Sequence, residues 1–215
     1  DVLDLDLSLG QTLTLSVLAI DADNLNGPHE QRSEATVFQI VSPDELLSLI
    51  SARELNLRNR FEQILEEVRS RGTDLSVHRA RLREAESLRS ITSPPERVAE
   101  IRNQLRDLDI SVETVAQRSL LDIRKNANET AAIEEGFAEI YAELINNRVS
   151  AQGMLERIDG GILKPLNVLN TIHYNNVDEA LGLFKLALER QQDPYQPLDA
   201  CIAELDATIE QIERI

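Results

Sequence analysis

Aromatic residues make up only 3% of this chain, and tryptophan is absent. An aromatic-lined ligand pocket is therefore not expected, and the interior must be built from Leu, Ile, Val and Ala, as in helix bundles. A single cysteine, Cys201, excludes an intrachain disulfide and reads as a small buried hydrophobe. Positive charge is scarce, with 22 basic residues against 38 acidic and a net charge of −16. Nucleic acid binding releases counterions from a cationic face, so that partner class is excluded. No apolar run approaches the ~18 residues of a membrane span, and no signal peptide is visible. The chain starts without Met in a strand-like pattern and ends in a helical one. It reads as a piece of a longer protein, with any membrane attachment supplied by a segment outside it.

What is present begins with period-2 alternation. Leu3, Leu5, Leu7 and Leu9 alternate with Asp4, Asp6 and Ser8, and Leu13, Leu15 and Val17 alternate with Thr12, Thr14 and Ser16. After a polar loop from Asp21 to Glu34, Ala35–Val41 reads as another strand. Three such strands are too few for independent stability. They read as the end of an immunoglobulin-like sandwich or as a small sheet. In the loop, Asp21, Asp23 and Asn26 place oxygen donors as calcium loops do, with Glu30 in reach. Asp and Asn also favour turns for their own sake, so a solvated hairpin loop is the simpler reading and a calcium site the alternative.

From Ser42 to Asp159 the pattern becomes helical. Ser42-Pro43-Asp44-Glu45 is a helix start, with Ser as N-cap, Pro at the first position and Glu closing a capping box. Leu47, Ile50, Leu57, Phe61, Ile64, Val68, Leu75, Leu82 and Ala85 then keep 3-4 spacing, interrupted by Glu54, Arg71 and His78. The phase continues through Gly72, which predicts one helix with a bend. Glu54–Arg58 and Glu67–Arg71 are expected as i,i+4 pairs. Ile91-Thr92-Ser93-Pro94-Pro95 forces a break, and Ser93-Pro94-Pro95-Glu96 repeats the start signal. The second helix carries Val98, Ile101, Leu105, Leu108, Val112 and Val115, then slips phase near Ala116–Leu120 as a stutter does. Even pairing about the break would set Phe61 opposite Ile123–Lys125. Gly160-Gly161 is expected to stop the second helix, since it lacks the context of a phosphate loop. Beyond it, Pro165, the Asn176–Glu179 capping signal and Asp193-Pro194 divide the remainder into short helices.

Individual residues that could carry chemistry have simpler readings. His78 in the seam has no His-x3-His or Glu-x-x-His companion, so a partly exposed structural histidine is expected rather than a ligand. Arg79, Arg81, Arg83 and Arg89 are diluted by Glu84 and Glu86, and pairing with acids elsewhere is expected over an acidic docking site. Glu134 and Glu135 are adjacent carboxylates, but neighbouring helical residues diverge by about 100°, which disfavours paired acid–base work. No catalytic residue, cofactor site or firm metal site is predicted.

Two segments carry a resemblance. Ser42–Leu47 through Arg53-Glu54-Leu55-Asn56-Leu57-Arg58-Asn59-Arg60-Phe61-Glu62 is one, and Arg124-Lys125-Asn126-Ala127-Asn128-Glu129 through Glu143–Val149 is the other. Together they resemble large bacterial envelope proteins of planctomycete type, with an N-terminal membrane anchor, an extracytoplasmic β domain and long helical regions. The resemblance implies an extracytoplasmic, anchored, structural context and brings no catalytic residues. The expected architecture is mainly α: β strands over 1–41, a long antiparallel coiled-coil hairpin over 42–159 with its tip near 91–95, and helices over 160–215 packing on its base. The expected role is a non-enzymatic structural or interaction module, with a protein partner or self-association through its helices. A calcium-binding, adhesion-like module is the alternative.

Overall fold

The computed structural model describes residues 7–22, 27, 29–149 and 152–215. The chain is mainly α-helical with a few N-terminal strands, and it divides into two units, Asp1–Arg53 and Glu54–Ile215.

In the first unit, β1 (Thr12–Leu15) pairs antiparallel with β4 (Thr36–Gln39), and β2 (Leu18–Ile20) pairs antiparallel with β3 (Glu30–Arg32). The two ladders nest in one folded-back ribbon of two small two-stranded sheets. Gly10, at φ 84°, makes the turn into β1 and donates its N–H to the Ile40 carbonyl at 2.8 Å. The run from Leu13 to Ile20 is interrupted between the ladders. There the Val17 N–H donates to Ser33 Oγ, and the Ser33 N–H donates to the Val17 carbonyl. Alternation sets Leu13 opposite Phe38, yet Val17 and Val37 remain 70% and 62% exposed. The strand expected at Leu3–Leu9 lies mostly outside the described residues, and Leu7 and Ser8 are not in a strand.

Helix α1 (Pro43–Arg89) starts as its sequence predicts, with Ser42 Oγ accepting the Glu45 N–H at 3.1 Å. It is continuous through Gly72, and its 47 residues span about 70 Å at 1.5 Å per residue. Helix α2 (Pro95–Asn146) opens differently from expectation. Pro94 occupies the N-cap position without a side-chain cap, so Ser93 stands one residue too early to repeat the role of Ser42.

Helix α2 also ends well short of Asp159. Arg148 adopts φ 53°, and the Val149 and Arg148 N–H groups turn back to the carbonyls of Leu144 and Ile145. That is a Schellman cap with arginine in the left-handed position usually given to glycine. The same cap closes α5, where Gln191 has φ 54° and Gln192 donates to Ala187.

Gly160-Gly161 does not stop a helix. A helical run extends from α3 (Gln152–Ile158) through a π-helical turn at Asp159–Leu163, α4 (Lys164–Val168) and a second π turn at Leu169–His173 into α5 (Tyr174–Glu189). Pro165 explains the first π turn: it lacks the N–H that would bond the Gly161 carbonyl, and its ring crowds that carbonyl. Widening the turn lets the Lys164 N–H reach back five residues to Asp159 instead. The Asn176–Glu179 capping signal therefore lies inside α5. Helix α6 (Tyr195–Glu213) follows, its first N–H held by Asp193 at 3.0 Å.

Interhelical pairs fix the arrangement of the second unit. Lys125 of α2 meets Glu67 of α1 at 3.0 Å, Arg124 of α2 meets Asp178 of α5, and Asn176 of α5 meets Glu204 of α6 at 3.2 Å. Arg79 and Arg69 of α1 meet Asp199 and Glu213 of α6. Each neighbour runs antiparallel to the last and α6 returns to α1, which closes an up-down-up-down four-helix bundle. The Glu67–Lys125 pair shows that Lys125 lies opposite Glu67, further along α1 than even pairing about the break would place it. The acids of the expected i,i+4 pairs turn to other helices, Glu54 to Arg157 and Glu67 to Lys125. Arg58 and Arg71 take Glu62 and Asp74 of their own helix, and Arg71 also reaches Asp122 at 3.5 Å.

Buried positions on α2 are Ile101, Val112, Ala116, Ser119, Leu120, Ile123, Asn126, Thr130, Ile133, Phe137, Ile140 and Leu144. The consecutive four-residue steps Val112–Ala116–Leu120 fall at the expected stutter. It falls where the end of α5 comes alongside α2, since Glu113 and Leu188 line one shared cavity. Two facing helices become four there, and the seam rotates to meet the second pair.

Candidate functional site

The residues singled out from the sequence are mostly absorbed by packing. His78 is buried between α1 and α2, not partly exposed. Its Nδ1 donates to the Asp74 carbonyl at 2.8 Å, and Nε2 shares a hydrogen bond with Ser111 Oγ at 3.1 Å. Nδ1 anchors the ring to its own helix, and Nε2 ties α1 to α2 across the seam. Glu134 accepts from the amides of Asn167 and Asn170 at 3.1 and 2.7 Å, clamping α2 to the π-helical run, while Glu135 is exposed. Of the arginine run, Arg79 and Arg83 share Asp199, and Arg89 lies 3.7 Å from Asp109.

Asp21 accepts the His29 N–H at 2.8 Å through one carboxylate oxygen and meets the His29 ring through the other. Asp23 and Asn26 lie outside the described residues. Among the described residues, no three His, Cys, Asp or Glu side chains converge as a metal cluster.

The bundle interior holds a polar layer that the sequence did not flag. Thr130 Oγ1 bonds both the Asn126 carbonyl and the Tyr174 hydroxyl, at 2.8 and 3.0 Å. The side-chain oxygen and nitrogen of Asn126 are buried without a hydrogen-bond partner in the structure. Burial pushes the Tyr174 hydroxyl up to about 12 against a partial offset from Thr130, and burial likewise pushes the Cys201 thiol up to about 12.

Two of the concavities among the described residues are candidate contact sites. The first, at the tip, lies between Leu88, Pro94, Ile101 and Gln104 with Glu96, Arg97 and Glu100 around it. The second is a cleft of about 450 Å³ at the other end of the bundle. Phe61 and Leu65 of α1, Ile133 and Phe137 of α2, and Ile162 and Leu166 of the π-helical run form its apolar floor and walls. It is closed at one end by Ile212 and Ile215. Phe61 stood in the predicted seam and is half-buried. Comparison with protein-family models, with curated proteins and with solved structures finds no match to this chain.

Proposed function

We propose that this chain is a non-enzymatic structural module of an extracytoplasmic bacterial envelope protein, in which the α1–α2 hairpin is a rigid spacer presenting its tip to a protein partner. The observation that carries the reading is the way α1 and α2 are fixed to each other. His78 bridges them, Lys125 meets Glu67, and Gly136 lets Leu57 come within 2.9 Å of where a Cβ would stand. Such close approach, with α5 and α6 closing the other sides, resists bending of either helix alone. The titratable groups that sequence reasoning raised as catalytic candidates are engaged in interhelical ties or face solvent. The envelope placement rests on the resemblance of the α1 and α2 segments.

The spacer reading is tested by spin labels at Gln63→Cys and Arg102→Cys, both exposed. Cys201 is buried and does not compete for label. A single narrow distance distribution near roughly 45 Å is expected from helical rise and the antiparallel pairing. A broad or multi-peaked distribution would remove the spacer reading.

A further inference from the structure

The side chain of Asn126 is fully buried in the bundle, and neither its oxygen nor its nitrogen meets a hydrogen-bonding group of the protein. An amide carries two donors and two acceptors. Burying them unpaired forfeits their hydration, so such groups in folded proteins are satisfied by other residues or by ordered water.

The surrounding helices offer no residue for the task. Asn126 lies between two contacts of α2 with α5, Arg124 on Asp178 and Thr130 on Tyr174. The α5 residues in that interval are Asn175, Asn176 and Val177. Asn175 gives its side-chain N–H to the Thr171 carbonyl, Asn176 gives its own to Glu204 of α6, and Val177 is apolar and buried. On the α1 side, the level of Asn126 is set by Lys125 on Glu67, and the buried residues flanking Glu67 are Ile64 and Val68.

One turn along α2, a hydroxyl pair has acceptor capacity to spare. Thr130 donates its only proton to the Asn126 carbonyl, so Tyr174 is the donor in the bond between the two hydroxyls. The Tyr174 oxygen therefore keeps a lone pair for a further donor. Asn126 and Thr130 stand four residues apart, on one face of α2 and about 6 Å along its axis. A water making two hydrogen bonds of about 2.8 Å spans about 5.5 Å, which matches that step.

We propose that the Asn126 amide is a binding site for internal water in the bundle core, with one water bridging it to the Tyr174 oxygen. Water fits this layer better than an ion does. Asn126, Thr130 and Tyr174 are neutral, and an amide needs a partner that both donates and accepts. Among the described residues, no cluster of His, Cys, Asp or Glu stands ready to hold a metal instead. The site goes beyond the spacer reading and stands without it, because it concerns the contact of α2 with α5 and not the hairpin tip.

Oxygen-17 magnetic relaxation dispersion of the whole chain tests the proposal. It detects waters that stay bound for longer than the molecule takes to tumble, and exchange of hydroxyl protons does not contribute to it. The wild-type chain is expected to show a dispersion step that shrinks in Asn126→Leu by the amplitude of at least one ordered water. Tyr174→Phe, which removes the second partner, should also reduce the step. Gln63→Leu, which removes an exposed amide from α1, should leave it unchanged. Circular dichroism verifies the folding of each variant. Asn126→Val serves where Asn126→Leu does not fold, since the apolar space that it leaves stays dry. Equal steps in the wild-type chain and the folded Asn126 variant would overturn the proposal. So would a step that is indifferent to Tyr174→Phe, or one that falls by the same amount in Gln63→Leu.

Discussion

Truncating Phe184 to alanine is expected to cost about 3–5 kcal/mol of folding stability, the range for deleting a fully buried aromatic side chain. Phe184 is 0% exposed and lies on α5, the helix that packs against both α2 and α6. A cavity there removes contacts from three helices at once, and the surrounding rods have little freedom to collapse into it. The adjacent Leu183 is 54% exposed and supplies the control: Leu183→Ala should change stability by no more than about 0.5 kcal/mol. Urea denaturation read by circular dichroism makes the comparison, with a lowered midpoint for the first variant, an unchanged one for the second, and slopes preserved in both. Equal effects of the two substitutions would mean that α5 presents a different face to the bundle.

The second large effect is loss of stability in alkali. The Cys201 thiol is pushed from 9.0 to about 12, and the Tyr174 hydroxyl from 10.0 to about 12, both chiefly by burial. Each group is neutral when protonated, so the folded state holds its proton to higher pH than the unfolded chain does. Their contribution is intact below pH 9, declines above the unfolded values, and is gone once pH passes through the folded ones. At 1.36 kcal/mol per unit, the shifts correspond to about 4 kcal/mol for Cys201 and about 3 kcal/mol for Tyr174. Against a typical total of about 5–15 kcal/mol, that is a large share of the stability, lost progressively between about pH 9 and 12. Lys125 and Lys164, raised by their hydrogen bonds to Glu67 and Asp159, act in the same direction but are exposed and add little. Urea midpoints at pH 8, 10 and 11 should fall progressively. Cys201→Ala should flatten the first part of the decline and Tyr174→Phe the later part, whatever each costs at neutral pH. A midpoint that holds constant to pH 11 would show that neither group is buried in the folded state.

Local chemistry was the legible part of this sequence. Ser42-Pro43 announces α1 because capping is settled within one turn, and the stutter after Val112 is visible because burial repeats along a helix. The end of α2 was hidden because its Schellman cap places Arg148, not glycine, in the left-handed region. Gly160-Gly161 suggested a stop for the opposite reason. Two glycines cost a helix only about 2 kcal/mol relative to alanine, and packing against α2 outweighs that. The ion pairs were misassigned where i,i+4 spacing competed with a neighbouring helix: Glu67 could satisfy Arg71 locally, but Lys125 stands closer. The cleft beside Phe61 was beyond sequence reasoning: Phe61 has the same heptad credentials as Ile64, yet Ile64 is buried in the core and Phe61 is half-buried along the cleft.

The central claim is that α6 closes α1, α2 and α5 into one cooperative bundle rather than resting on a hairpin that stands alone. Hydrogen exchange followed by peptide-level mass spectrometry tests it most directly. Amides from Ile64 to Leu82, Ile123 to Leu144, Val177 to Ala187 and Leu198 to Ile209 should share one protection level, set by global unfolding, and Phe184→Ala should lower all four together. Exchange of α6 well ahead of α1 and α2, or a separately opening segment around Gly72, would contradict it.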